Sequence, residues 1–229
     1  MKIGLFGGAF NPIHRCHLTI ATQTRDRLGL DRLVFIPSGD PPHKPSATLA
    51  PAPHRLEMVR LAIADEPTFS VSEVETSRPA KSYSIDTVRA LRAEYGPAAE
   101  LFFIIGLDAF LDLPTWREPE PLLRSCRFVV VPRPPVQFRS LTGLSLLPPL
   151  DAQALSDLEG RRAARLDVSI PGGGLILLAL PPCGVSASDI RDRIRRRLSL
   201  SNLLPAPVES YIMRFRLYQE ERDRTGVQG

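Results

Sequence analysis

The sequence predicts a doubly wound α/β domain on a parallel sheet, and three observations predict it. Short apolar runs alternate with amphipathic stretches along most of the 229 residues. Those runs are apolar throughout rather than at every second residue, as strands covered on both faces are. A glycine-rich turn joins the first run to the first helical stretch, as in a βαβ start. Such sheets bind ligands beyond the carboxyl ends of their strands, at the point where strand order reverses.

Each element follows from its own pattern. Residues 3–6 read as a buried strand, and a helix runs from about 14 to 28 and stops at Gly29. A second strand at 33–36 closes on Pro37. The stretch 37–53 is rich in proline and lacks periodicity, so it reads as a long loop of the kind that often serves as a lid. Apolar positions 56, 58–59 and 61–63 give a helix over 54–64, and 69–74 reads as a strand. A helix at 84–95 leads to a wholly apolar central strand at 101–105, a short helix ends at 122–124, and 128–131 is the next strand. From 134 to 174 the pattern degrades into an irregular insert around one helix near 151–163. The last strand is 175–180, and helices at 186–198 and 207–221 close a single domain spanning 1–229.

Composition sets the outer limits. With 43% hydrophobic and 24% charged residues, collagen-like and disordered classes are excluded. No apolar run approaches the roughly 18 residues of a membrane span. The N-terminus has no signal-peptide pattern, so a cytoplasmic protein is expected. Cys16, Cys126 and Cys183 are far apart and odd in number, which supports neither a disulfide framework nor a cysteine zinc site. The net charge of +4 suits nucleic acid or a pocket that gathers phosphates. Lysine occurs only at 2, 44 and 81, so Lys44 carries more weight than any one of the many arginines.

Two segments carry chemistry. Residues 7–17, Gly-Gly-Ala-Phe-Asn-Pro-Ile-His-Arg-Cys-His, lead from the first strand into the first helix. They form neither a dinucleotide glycine fingerprint nor a P-loop, yet the helix start offers N–H groups and a positive dipole end to an anion. His14 and His17, three apart, share one helical face and can donate to phosphate oxygens as charge builds. Far along the chain, Ser186, Ser188, Asp189 and Arg191 open a helix after the last strand. Plain helix capping accounts for the serines, and capping is compatible with phosphate binding there.

These residues resemble a family. Residues 8–17 look like the G-x-F-[D/N]-P-x-H-x-G-H signature of the nucleotidyltransferases, and 186–191 is similar to their I-S-S-T-x-I-R signature. Pro41-Pro42-His43-Lys44, Ser82 to Thr87, and Gly106-Leu107-Asp108 followed by Trp116 narrow the resemblance to the bacterial nicotinate-nucleotide adenylyltransferases, over about residues 2–218. The resemblance implies a Rossmann-like fold and adenylyl transfer from ATP to nicotinate mononucleotide, with Mg2+ held mainly by the ATP phosphates. It assigns His14, His17 and Arg191 to catalysis. Gly8, Phe10, Gly106, Asp108, Ser186 and Ser188 would bind ATP, with Gly106 and Asp108 at the ribose hydroxyls. Lys44, Ser84, Thr87, Trp116 and Arg133 would bind the acceptor, Trp116 by stacking on its pyridine ring.

Two positions depart from the family pattern. Cys16 replaces a glycine and either crowds the phosphates or turns away, and Ala187 removes one serine hydroxyl. Other readings stay open: nicotinamide mononucleotide or another phosphorylated acceptor, and a nucleotide- or RNA-binding module that has lost catalysis. A metal centre on His14, Cys16 and His17 is disfavoured, since three ligands within four residues of one helix cannot surround an ion. A homodimer is also left open.

Overall fold

A computed structural model describes residues 1–40, 49–79 and 81–219. Seven strands form one sheet: β1 (Lys2–Gly8), β2 (Arg32–Pro37), β3 (Phe69–Val71), β4 (Glu100–Gly106), β5 (Arg127–Val131), β6 (Arg165–Val168) and β7 (Gly174–Leu178). The order is β3-β2-β1-β4-β5-β7-β6. Every pairing is parallel except β6 with β7. Strand order reverses between β1 and β4, which pair with Phe6 opposite Ile104. The carboxyl ends of these two strands, at Gly8 and Gly106, therefore open one crevice.

Helices cover both faces. On one lie α1 (Arg15–Leu28), α2 (Ala52–Ile63), α7 (Ala187–Arg195) and α8 (Ala206–Arg214), packed on a core that includes Phe35, Met58, Ile190 and Val208. On the other lie α3 (Ser84–Tyr95), α4 (Leu107–Leu111), α5 (Pro119–Ser125) and α6 (Ala152–Glu159), over Val88, Phe110, Leu122 and Leu155. Strands such as Leu33 to Ile36 feed both cores at once, which is why they carry no polar alternation.

The structure corrects several expected boundaries. Strand β3 stops at Val71, short of residue 74. Helix α8 ends at Arg214, because Arg216 and Tyr218 adopt left-handed backbone (φ 48° and 66°) that a helix cannot contain. The irregular insert holds more order than its composition suggested: a 3-10 helix Phe138–Gly143, helix α6, and the antiparallel edge strand β6. Strand β6 is only Arg-Leu-Asp-Val, and its charged residues face water, as suits a sheet edge. Such a short half-polar segment is indistinguishable from a loop until a partner strand lies beside it.

Candidate active site

The turn after β1 is built on a buried aromatic floor. Phe10, at φ 44°, is 2% exposed, and its ring meets those of Phe6 and Phe35 edge-on or tilted at 5.8 and 5.7 Å. The expectation that Phe10 binds ATP finds its ring used as support beneath the loop. A Cβ at Gly8 would lie 3.0 Å from the Phe10 ring, so glycine there lets the ring close up. His17 rests on that ring at 5.1 Å and stacks with His14 at 3.7 Å. His14 caps α1 with extended backbone, and its N–H donates to His17 Nδ1 at 3.2 Å. This bond fixes the His17 tautomer, with the proton on Nε2. Burial, helped by the charge of Arg133, pushes the His14 pKa down to about 4, so its imidazole is neutral at neutral pH. Its buried Nδ1 has no hydrogen-bond partner among the described residues.

Three other strand ends reach this pair. Arg133, two residues beyond β5, acts on His14 electrostatically and lies 3.9 Å from the Asp108 carboxylate, which follows β4. A Cβ at Gly106 would sit 2.6 Å from Asp108 Oδ1, so the glycine allows that carboxylate to fold back over the strand end. From beyond β7, Ser186 caps α7 by accepting from the Asp189 N–H at 3.1 Å, and its hydroxyl is 3.0 Å from that of Ser188. Arg191 donates to the Asn11 carbonyl at 2.9 Å, joining α7 to the histidine turn. His14, His17, Asp108, Arg133, Ser186, Ser188 and Arg191 thus border the crevice. The arginine run after Arg191 is satisfied locally, with Arg193 paired to Asp189 and Arg195 and Arg196 to Asp192.

The cysteine expectation needs correcting. Cys16 and Cys183 form a disulfide with Cα atoms 5.7 Å apart. The bond takes the Cys16 sulfur out of any metal set. Separation of 167 residues hid the pair, since only the fold brings α1 beside the segment before α7. Cys126 stays a buried free thiol, pushed up to about 12 by burial.

On the acceptor side the outcomes differ. Ser84 opens α3 and is partly exposed. Trp116 is half-buried at the end of the 3-10 helix Leu113–Thr115. Arg117 stacks 4.9 Å from the Tyr83 ring and lies 3.7 Å from Asp86, so the tryptophan segment and the α3 start form one wall. Thr87 is different: it is buried, and its hydroxyl donates to Glu75 Oε1 at 2.8 Å. It is a post under the loop rather than an exposed ligand. Lys44 lies outside the described residues.

One residue central to this architecture escaped the sequence reading. Arg55, 1% exposed, donates to the carbonyls of Ala9, Gly39 and Ala50 at 2.8, 3.0 and 2.8 Å. It ties the histidine turn to both flanks of the proline-rich segment. The signal was present: Arg55 shares the apolar face of α2 with Leu56, Val59 and Ile63. An arginine at such a position needs several acceptors to be buried.

The comparisons with known proteins accord with this geometry. A family model described as cytidylyltransferase-like matches residues 5–193, which sets the class. A Pelobacter propionicus protein named "Probable nicotinate-nucleotide adenylyltransferase" is 46% identical, over 96% of this chain and 99% of its own. A Geobacter metallireducens protein of the same name is 44% identical, over 97% and 100%. The chain belongs to the nicotinate-nucleotide adenylyltransferase family. A solved nicotinic acid mononucleotide adenylyltransferase of Plasmodium falciparum, complexed with NaAD, superposes with a TM-score of 0.69 at 18% identity. It covers 95% of this chain and 97% of its own, and shows that the fold is shared.

Proposed function

We propose that this chain transfers the adenylyl group of ATP to nicotinate mononucleotide, forming nicotinate adenine dinucleotide and pyrophosphate for NAD biosynthesis. The observation that carries it is the stacked His14–His17 pair at the α1 start, with the Ser186 to Arg191 helix start held against the same turn. An oxygen of the mononucleotide phosphate attacks the α-phosphorus of ATP. The bond to the bridging oxygen of the β-phosphate breaks, and pyrophosphate carries that oxygen away. No enzyme nucleophile is needed, so the protein contributes position and charge stabilisation.

Each residue has a part. His17 Nε2–H donates to a non-bridging oxygen of the reacting phosphate, and neutral His14 offers its own ring N–H beside it. The α1 dipole adds positive potential. Arg191, Ser186 and Ser188 receive the departing pyrophosphate. Gly106 and Asp108 take the adenosine ribose hydroxyls, Trp116 stacks on the pyridine ring, and the α3 start at Ser84 faces the nicotinate carboxylate. Arg133 contacts the mononucleotide phosphate, and Lys44 the phosphates from its own segment.

Most side chains named around the crevice are imidazoles, hydroxyls and guanidinium groups, which suit phosphate oxygens, and Asp108 is the one carboxylate among them. Among the described residues no three His, Cys, Asp or Glu side chains form a metal-binding group. Magnesium would enter with ATP, held mainly by the ATP phosphates, and would supply charge neutralisation there. No helix among the described residues is long and apolar enough to cross a membrane.

The test is magnesium-dependent pyrophosphate release from ATP with nicotinate mononucleotide, nicotinamide mononucleotide and phosphopantetheine in parallel. Turnover with the first and little with the others is expected. Preference for the second would move selectivity away from the substrate carboxylate. Silence with all three from a folded sample that binds ATP would sink the reading.

A further inference from the structure

We infer that Cys16 and Cys183 form a reversible thiol–disulfide site that sets the affinity for ATP, with the disulfide form binding ATP more tightly. The inference rests on the reading of the crevice as an ATP site. Cys16 lies between the two histidines, in the first turn of α1. Cys183 stands three residues before Ser186, the cap of α7. The bond therefore joins the two chain segments that receive the phosphates, and no other covalent link connects them within 167 residues of sequence.

A further tie between the segments is the hydrogen bond from Arg191 to the Asn11 carbonyl. Residues 181–186 have no regular structure, and 181–184 are exposed. Ser186 caps α7 and Ser188 lies in its first turn, so without the disulfide it is the exposed, irregular stretch leading into that cap that ATP must order at its own entropic cost. With it, that segment is already anchored, and the cost falls on the fold instead of on binding.

Access and chemistry suit reversal. Cys183 is exposed, whereas Cys16 is 4% exposed. A small-molecule thiolate can attack the Cys183 sulfur, forming a mixed disulfide and releasing the Cys16 thiolate. A second thiol then frees Cys183, so two thiols become one small-molecule disulfide and the protein gains two thiols. The departing thiolate lies at the positive end of α1, which favours it as a leaving group. Re-formation runs the same exchange backwards with a low-molecular-weight disulfide as oxidant.

The experiment uses the full chain equilibrated with reduced or with oxidised glutathione, the bond being scored by peptide mass mapping. ATP binding is followed by equilibrium dialysis and pyrophosphate release by steady-state kinetics. Loss of the bond is expected to raise the Kd and KM for ATP by about five- to tenfold, with a smaller change in kcat. Cys183→Ser and Cys16→Ser are each expected to show the weaker ATP affinity under both conditions. Equal or weaker ATP affinity in the mapped disulfide form, or failure of the bond to form with oxidised glutathione, overturns the inference. Redox-dependent ATP binding without turnover in either state would remove the proposed reaction and leave the tether. Turnover in both states at one ATP affinity would do the reverse.

Discussion

His14 stacks on His17 at the start of α1, and burial sets its charge state. His14 is 3% exposed and held neutral, with a pKa of about 4 in the folded chain. Its unfolded value is near 6.5, so between those two pH values the unfolded chain binds more protons than the folded one. Stability is therefore full above about pH 6.5 and falls as pH drops toward 4. At pH 5 the loss from this one group is about 2 kcal/mol. Urea midpoints at pH 7 and pH 5 measure it, and His14→Gln should shrink the difference. For His17 the expected effect is on the chemical step. Removing a donor to the transition state in His17→Ala should lower kcat by about 100-fold or more, with the circular dichroism unchanged. Near-normal turnover would take His17 out of the mechanism.

At the scale of elements, single side chains hold helices and loops in the places the site needs. Ser186 caps α7, whose first turn also presents Ser188 and leads to Arg191. Ser186→Ala should cost about 1 kcal/mol in thermal or urea unfolding. It should also raise KM for ATP, since the proposed reading places the same hydroxyl at the phosphates. Arg55 works through backbone carbonyls instead. Nearby, Glu75 accepts from Thr87 and from the Gly39 N–H, and burial raises its pKa. A Cβ at Gly39 would collide with the Glu75 carbonyl, so the two chain segments pass as closely as backbone allows. Arg55→Leu would leave the Ala9, Gly39 and Ala50 carbonyls without their donor. The expected loss is about 3 kcal/mol in urea denaturation, together with weaker ATP binding because the histidine turn loosens. An unchanged midpoint would mean that water replaces the guanidinium at no cost.

For the whole molecule, the disulfide closes a far longer loop than any local contact. Linking residues 167 apart removes chain entropy from the unfolded state worth at most about 5 kcal/mol. Full reduction should accordingly lower the urea midpoint, and Cys183→Ser should match the reduced wild type whatever the redox conditions. The two-faced sheet has a related consequence. Its strands bury side chains into both cores, so β1, β4 and β5 form the well-packed base of the crevice. Motion needed for substrate entry falls to the connections beyond those ends.

What the sequence determined by itself is whatever rests on short-range pattern. Continuous apolar runs specified the parallel strands, and the stretch from Gly7 to His17 specified a turn into a helix start, because strand burial and helix geometry act within a few residues. Ser186 as a cap was legible for the same reason. Only the tertiary structure decided the rest. It paired Cys16 with Cys183, buried the Thr87 hydroxyl against Glu75, set Arg55 against the carbonyls of Ala9, Gly39 and Ala50, and made residues 165–168 a strand. Each of these depends on a partner distant in sequence, where chain entropy leaves no local trace and only packing of the whole sheet brings the groups together.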